Sequence, residues 1–163
     1  MGEIFTRSAA IRLGETGART RAAPQTLTVL GATGSIGENT LDLVGREPDR
    51  FDVVALTAQS NAEKLANLAI RHRAKLAVIG DEAHYADLKA RLQGTGIEAA
   101  AGETALVEAA SRPVDCTMAA IVGAAGLKPT FAPARQGRRV ALANKECLVS
   151  AGDVFLAEIR KSD

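Results

Sequence analysis

Apolar and polar positions follow two different spacings along this chain. Short, nearly continuous apolar runs of strand length cover residues 26–30, 51–58, 74–79, 97–101, 114–122 and 138–143. Between them, apolar residues recur at the three- and four-residue spacing of amphipathic helices, over residues 36–44, 62–73, 82–92, 103–110, 127–136 and 149–161. Strands that alternate with helices predict a Rossmann-type, doubly wound α/β domain. Its sheet should be mostly parallel, with residues 26–30 at the centre and helices on both faces.

Three glycines, spaced three residues apart, join the first strand to the first helix. Gly31 allows a sharp turn, Gly34 lets a phosphate approach the backbone without a Cβ in the way, and Gly37 lets the helix pack close to the strand. The free N–H groups and the positive dipole end of that helix would face the anion. The alternative is a glycine-rich turn that only joins two packed elements.

The end of the second strand distinguishes NAD from NADP. NAD-binding domains carry an acidic residue there, about 20 residues beyond the glycines, which bonds the ribose 2′-hydroxyl and would repel a 2′-phosphate. This chain has Gln59, Ser60 and Asn61 instead. Because Ser60 and Asn61 can donate hydrogen bonds, the sequence predicts NADP, although the usual arginine is missing. Asn61 also suits the N-cap of the helix that follows, and the two roles are compatible.

Two more strand ends should lie at the same edge of the sheet. Residues 123–126, Gly-Ala-Ala-Gly, follow the fifth strand, and their small side chains would let a flat cofactor lie close. A tightly packed strand–helix turn is the alternative. The sixth strand leads into Asn144, Lys145 and Glu146. In the functional interpretation Asn144 faces the cofactor and Lys145 an anionic substrate, and in the other interpretation these are ordinary loop residues.

Composition limits the partners and the compartment. The net charge is +1, 24% of residues are charged and 3% aromatic, and no basic block exceeds Arg138-Arg139, so no nucleic acid partner is expected. No apolar run approaches the roughly 20 residues of a transmembrane helix, so no membrane partner is expected. Cys116 and Cys147 lie far apart, outside any C-x-x-C pattern. This spacing argues against a disulfide framework or a zinc site and fits a reducing bacterial cytoplasm.

Two other groups of residues resemble catalytic or metal-binding patterns. Tyr85 and Lys89 have the Y-x-x-x-K spacing of short-chain dehydrogenases, but they follow the third strand, and Tyr85 falls on an apolar helix stripe. We therefore interpret Tyr85 as a packing residue. His72 and His84 have no partner ligands at metal spacing and are interpreted as surface or packing residues.

Residues 1–25 differ in character from the remainder. They combine several arginines with small residues and contain no uninterrupted apolar stretch of a secretion signal. We predict a disordered extension here and a single cofactor-binding domain over residues 26–163. A plastid transit peptide is the alternative, and Glu3 and Glu15 argue against it because such peptides avoid acidic residues.

Three motifs resemble the 1-deoxy-D-xylulose 5-phosphate reductoisomerase family. They are G-A-T-G-S-I-G-x-x-T-L-D over residues 31–42, M-A-A-I-V-G-A-A-G-L over residues 118–127 and L-A-N-K-E over residues 142–146. The resemblance covers residues 26–155. This family rearranges its phosphorylated sugar substrate and reduces the product with NADPH, using Mn²⁺ or Mg²⁺, to give 2-C-methyl-D-erythritol 4-phosphate for isoprenoid synthesis.

The resemblance also implies roles for individual residues. Those expected to contact NADPH are Gly31, Thr33, Gly34, Ser35, Ile36, Gly37, Gln59, Ser60, Asn61 and Asn144, and those expected to border the substrate are Lys145 and Glu146. Many members have Gly and a basic residue where this chain has Gln59-Ser60, and commonly Ser in place of Cys147. The metal-binding D-S-E motif, active-site loop and C-terminal domain of the family lie beyond residue 163. The resemblance thus implies an N-terminal segment, inactive alone, of an enzyme that is a homodimer when complete.

Two other functions fit parts of the pattern. A non-catalytic module could bind a dinucleotide and signal by a change of conformation. Another NADP-dependent oxidoreductase, such as a semialdehyde dehydrogenase, would need a nucleophilic cysteine. Cys116 fits that role poorly because it lies within a predicted buried strand.

Overall fold

The fold is a doubly wound α/β domain, as the alternation of strands and helices predicts. A computed structural model describes residues 23–143, 149 and 152–161 of the chain. Within these ranges a six-stranded sheet has the order β4-β3-β2-β1-β5-β6, and every neighbouring pair is parallel. The strands are β1 Gln25–Leu30, β2 Phe51–Ala58, β3 Leu76–Ile79, β4 Glu98–Ala101, β5 Cys116–Ala119 and β6 Val140–Leu142.

Helices cover both faces of this sheet. They are α1 Ser35–Arg46, α2 Ala62–Arg71, α3 Tyr85–Arg91, α4 Gly102–Ser111, α5 Leu127–Arg135 and a final helix, Gly152–Lys161. Right-handed crossovers place α1 to α3 on one face and α4 and α5 on the other, because the direction of strand addition reverses after β4. The core divides accordingly. Leu41, Leu65 and Leu88 pack on the first face, and Leu106 packs with Val78 on the second.

Several elements are shorter than the apolar runs predict. The third, fifth and sixth strands lose residues at one or both ends, and α2 ends at Arg71, two residues before the predicted end. The chain leaves α2 through Arg73, which has a φ of 52°. Asp81 caps a single 3-10 turn that precedes α3, and its carboxylate accepts a hydrogen bond from the Ala83 N–H at 3.0 Å. Apolar residues next to a strand continue the core without continuing the hydrogen-bond ladder, so an apolar run overestimates strand length.

The amino ends of β1 and β5 are tied by a pair of side chains. The Asp115 carboxylate accepts hydrogen bonds from the Thr26 N–H and from the Thr26 hydroxyl, both at 2.7 Å. The Thr26 hydroxyl in turn accepts the Asp115 N–H at 2.8 Å. The backbone hydrogen bond from Thr26 lowers the pKa of Asp115 most, followed by the hydroxyl hydrogen bond and the charges of Arg139 and Arg138. The polar groups of Thr26 and Asp115 therefore bond each other at the amino ends of β1 and β5.

The carboxyl ends of the same two strands mark the point where the strand order reverses. From β1 the chain continues to β2 on one side, and β5 pairs with β1 on the other side. In open α/β sheets, ligands bind in the crevice outside the carboxyl ends of the strands at such a point. The candidate site is therefore expected between the turns that follow β1 and β5.

Candidate functional site

Two of the three glycines after β1 are required by the packing of the chain itself. Gly31 has a φ of +84°, and a Cβ there would lie 2.7 Å from the backbone oxygen of Ala120. A Cβ on Gly37 would lie 2.7 Å from the Cα of Ala32. Both contacts are with backbone atoms, which cannot rotate away as a side chain can. These positions have the turning and close-packing roles that the glycine spacing predicts.

Gly34, between them, is not required by packing. Its φ is −81° and its ψ is 165°, which any residue can adopt. Among the described residues, a Cβ there would meet only the Gly31 oxygen, at the ordinary contact distance of 3.5 Å. The space in front of Gly34 is open, so the described part of the chain gives no steric reason for a glycine here. A ligand that approaches the backbone would give one.

The amino end of α1 presents backbone donors next to Gly34. The Gly34 N–H donates to the Gly31 oxygen at 3.2 Å, and the first helical hydrogen bond runs from the Glu38 N–H to the Gly34 oxygen at 2.9 Å. The N-cap residue is Gly34, which has no side chain to accept a capping hydrogen bond. Within the described ranges, the N–H groups of Ser35, Ile36 and Gly37 therefore have no acceptor. Three converging donors at a helix amino end suit a phosphate group.

Two residues that the sequence did not single out support the turn. Thr57, fully buried in β2, accepts the Gly31 N–H on its hydroxyl at 3.0 Å, and its backbone oxygen accepts the Ala32 N–H at 2.7 Å. Lys64, in the first turn of α2, donates from Nζ to the Thr33 oxygen at 3.0 Å and pairs with Glu38 at 2.7 Å. The available sequence signal was weak: a threonine in an apolar strand and a lysine early in a helix.

The polar residues after β2 lie beside this turn and differ in their contacts. Asn61 caps α2 as predicted, because its Oδ1 accepts the Lys64 N–H at 2.9 Å. The Gln59 side chain lies over Gly80 at the end of β3, where a Cβ would be 2.6 Å from its Oε1. Ser60 is exposed, and its hydroxyl bonds no residue in the described ranges. Ser60 thus offers a free donor at the predicted 2′-phosphate position.

The turn after β5 is more open. Val122 is 77% exposed, and Gly123 has a φ of +75° with no atom of the described residues within 4 Å of the position of a Cβ. The Gly126 N–H donates to the Gly123 oxygen at 3.2 Å, and the Thr130 hydroxyl donates to the Gly126 oxygen at 2.6 Å, which connects the turn to α5. The positive φ of Gly123 therefore gives a reason for glycine at this position.

The last three predicted residues, Asn144, Lys145 and Glu146, lie outside the described residues. The strand that leads to them is described: the Ala143 N–H donates to the Ala119 oxygen at 3.0 Å. Ala143 therefore lies beside the carboxyl end of β5. The substrate-side residues stay a prediction.

Other candidate chemistry receives no support from the described residues. In residues 23–143, 149 and 152–161, no three His, Cys, Asp or Glu side chains come together as metal ligands. Among the same residues, no helix is long and apolar enough to cross a membrane. Tyr85 packs against the core, and Lys89 lies 5.7 Å from its ring centroid, consistent with a packing role. Cys116 is partly buried in β5.

A groove of about 580 Å³ between α1 and α2 includes no predicted site residue. It extends from Glu38 towards the carboxyl end of α2, where His72 and Arg73 line it. Burial lowers the pKa of His72 from its usual 6.5, and the charge of Arg71 lowers it further. A Cβ on Gly45 would lie 3.3 Å from the His72 ring. His72 is thus a packing residue between the two helices, as the sequence interpretation holds.

Comparison with known proteins gives one consistent family. The sequence model of the 1-deoxy-D-xylulose 5-phosphate reductoisomerase family matches residues 27–152. The reductoisomerase of Rhodospirillum centenum is 59% identical over 137 residues, which is 84% of this chain and 34% of that protein. That of Zymomonas mobilis is 58% identical over 138 residues, which is 85% of this chain and 36% of that protein.

Solved structures agree with the sequence comparison. The reductoisomerase from Zymomonas mobilis in complex with NADPH matches with a TM-score of 0.84 at 57% identity, over 85% of this chain and 37% of that one. A DOX-P reductoisomerase in complex with NADPH, fosmidomycin and magnesium matches with a TM-score of 0.80 at 40% identity, over 85% and 34%. The chain spans about a third of the length of the curated relatives it matches, 34% for that of Rhodospirillum centenum.

Proposed function

This chain belongs to the 1-deoxy-D-xylulose 5-phosphate reductoisomerase family, and we propose that residues 26–163 form the NADPH-binding domain of such an enzyme, after an extension of residues 1–25. One observation carries the proposal. The N–H groups of Ser35, Ile36 and Gly37 lack partners within the described ranges and stand beside Gly34, where the backbone is open to a ligand. Relatives whose structures match this fold were solved in complex with NADPH.

The described residues fit a bound dinucleotide. The pyrophosphate would accept hydrogen bonds from the amino end of α1, with Thr33, Gly34 and Ser35 around it. The adenosine 2′-phosphate would lie at the end of β2, where Ser60 and the amide of Asn61 can donate. The nicotinamide half would extend towards the turn after β5 and Asn144. This arrangement uses both turns at the reversal of strand order.

The complete enzyme is proposed to carry out the reaction of its family. It would convert 1-deoxy-D-xylulose 5-phosphate to 2-C-methyl-D-erythritol 4-phosphate in the bacterial cytoplasm, as a homodimer. NADPH supplies the hydride when bound, while Lys145 and Glu146 border the phosphorylated sugar. The complete enzyme would also use Mn²⁺ or Mg²⁺, and residues 23–143, 149 and 152–161 bring together no three His, Cys, Asp or Glu side chains as its ligands.

Calorimetric titration of the purified chain with NADPH and NADH tests the proposal. We expect NADPH to bind more tightly, because the end of β2 has donors and no carboxylate. Ser60→Asp should weaken NADPH by about 1–3 kcal/mol, the scale of a charge-assisted contact, and affect NADH much less. Equal affinities in the unmodified chain would contradict the NADPH preference. Binding of neither cofactor by the folded chain would contradict the proposed function.

A further inference from the structure

We propose that Lys64 is the residue that makes this domain prefer NADPH, by placing its ammonium group against the adenosine 2′-phosphate. The inference rests on the proposed function. It identifies a source for the positive charge that residues 59–61 lack. NADP sites usually have an arginine near the end of the second strand. In this chain that charge comes from the first turn of the next helix.

The position of Lys64 is fixed at both ends of the residue. Its backbone N–H donates to the Asn61 Oδ1 at 2.9 Å, which holds it in the first turn of α2 directly after the predicted 2′-phosphate position. Its Nζ donates to the Thr33 oxygen at 3.0 Å, a contact between residues 31 apart in sequence. Lys64 therefore connects the end of β2 to the turn after β1, the two places between which the adenosine ribose would lie.

The ammonium group still has capacity for a ligand. A lysine has three N–H donors, and here the Thr33 oxygen and the Glu38 carboxylate, 2.7 Å away, take two of them. The Lys64 side chain is 37% exposed and that of Glu38 is 44% exposed, so the pair is accessible from solvent. A 2′-phosphate carries more negative charge than one carboxylate and can take the third donor or displace Glu38.

The other basic residues of this region are either paired with acidic residues or lie at the far end of α2. Arg91 of α3 bonds Asp87 at 2.8 Å and reaches Glu63 at 3.9 Å. Arg71 and Arg73 lie at the opposite end of α2, in the groove beside α1. Among the residues with described side chains, Lys64 is the one cation whose hydrogen bond reaches the first glycine turn. The charge that selects for a 2′-phosphate is therefore assigned to it.

A purely structural role makes a different prediction. If Lys64 only tied α2 to the turn, its loss would weaken NADPH and NADH alike, because both dinucleotides share the pyrophosphate site. If it contacts the 2′-phosphate, its loss weakens NADPH alone. The ratio of the two affinities separates these cases, whereas either affinity alone does not.

The experiment is calorimetric titration of NADPH and NADH into four proteins: the unmodified chain, Lys64→Gln, Lys64→Arg and Lys75→Gln. Glutamine keeps a donor for the Thr33 oxygen and removes the charge. Lys75 is a matched control, because it makes a similar ion pair, 2.6 Å from Asp52, near the opposite ends of the strands. Thermal unfolding of each protein checks that it is folded.

We expect Lys64→Gln to weaken NADPH about 10- to 100-fold, the scale of a hydrogen bond to a charged group, and NADH less than about 3-fold. Lys64→Arg should restore most of the preference, and Lys75→Gln should leave both affinities unchanged. Equal losses for the two cofactors, or no loss of NADPH affinity, would overturn the role of Lys64 while leaving the proposed function intact. Binding of neither cofactor by the unmodified chain would overturn both.

Discussion

The turns after β1 and β5 lie side by side at one edge of the sheet, yet their glycines serve different purposes. In the first turn, Gly31 and Gly37 are in contact with backbone, at distances that exclude a Cβ. In the second, a Cβ on Gly123 would meet no atom of the described residues within 4 Å, and the neighbouring Val122 is 77% exposed. The first turn is a packed connection that excludes side chains, whereas the glycine of the second turn is explained by its positive φ.

This difference shows what a glycine motif can and cannot indicate. Packing alone explains Gly31 and Gly37, so a turn that binds no ligand would need glycine at the same two positions. The position that points to a ligand is Gly34, which the packing does not require. The evidence for ligand binding in a glycine motif therefore comes from the glycines that the packing of the fold does not require.

The largest effect is expected for Gly37→Ala, which tests whether the first turn is packed as described. The new Cβ would lie 2.7 Å from the Ala32 Cα, and the turn can relieve the clash only by moving α1. We expect the free energy of unfolding to fall by about 3 kcal/mol or more, measured by urea denaturation. Gly34→Ser is the matched control at the same helix end and should be nearly neutral, because serine is a good N-cap. Equal stability of the two variants would refute the comparison.

A smaller effect is expected for Gly123→Ala in the open turn. Alanine fits the space but not the φ of +75°, so the cost should be about 1–2 kcal/mol from backbone strain alone. Gly123→Asn should recover part of this loss, because asparagine tolerates the left-handed conformation. Urea denaturation measures both variants. A loss for Gly123→Ala as large as that for Gly37→Ala would show that the second turn is also packed.

The smallest effect is expected at the amino ends of β1 and β5, where the Asp115 carboxylate accepts hydrogen bonds from Thr26. Hydrogen bonds lower the pKa of Asp115 from its usual 3.8, so its stabilising contribution is present above that pH. The contribution is lost as the pH falls through the lower pKa of the folded state. We expect Asp115→Asn to be less stable than the unmodified chain at pH 7, with the difference shrinking below about pH 4. Unfolding curves that stay equally separated from pH 7 to pH 2 would contradict this.

Local sequence signals predicted most of the sheet, whereas the position of the cofactor site stays a prediction. The predicted apolar run over residues 51–58 has the same bounds as β2, and Asn61 caps α2 as predicted. Both features depend on residues that are neighbours in the sequence. The residues of β2 and α2 that hydrogen-bond the first turn were not predicted, because their contacts are not local. Thr57 and Lys64 contact residues 26 and 31 positions away, and no local spacing encodes such contacts. Residues 144–146 stay predictions, because they lie outside the described residues.

The central claim is that the first turn binds the phosphates of NADPH through the backbone exposed at Gly34. Calorimetric titration of Gly34→Val with NADPH tests this most directly, because valine suits the observed φ of −81° and blocks the approach of a ligand. We expect a folded protein, within about 1 kcal/mol of the unmodified chain by urea denaturation, whose NADPH affinity is reduced at least about 100-fold. Unchanged NADPH affinity in a folded Gly34→Val variant would contradict the claim.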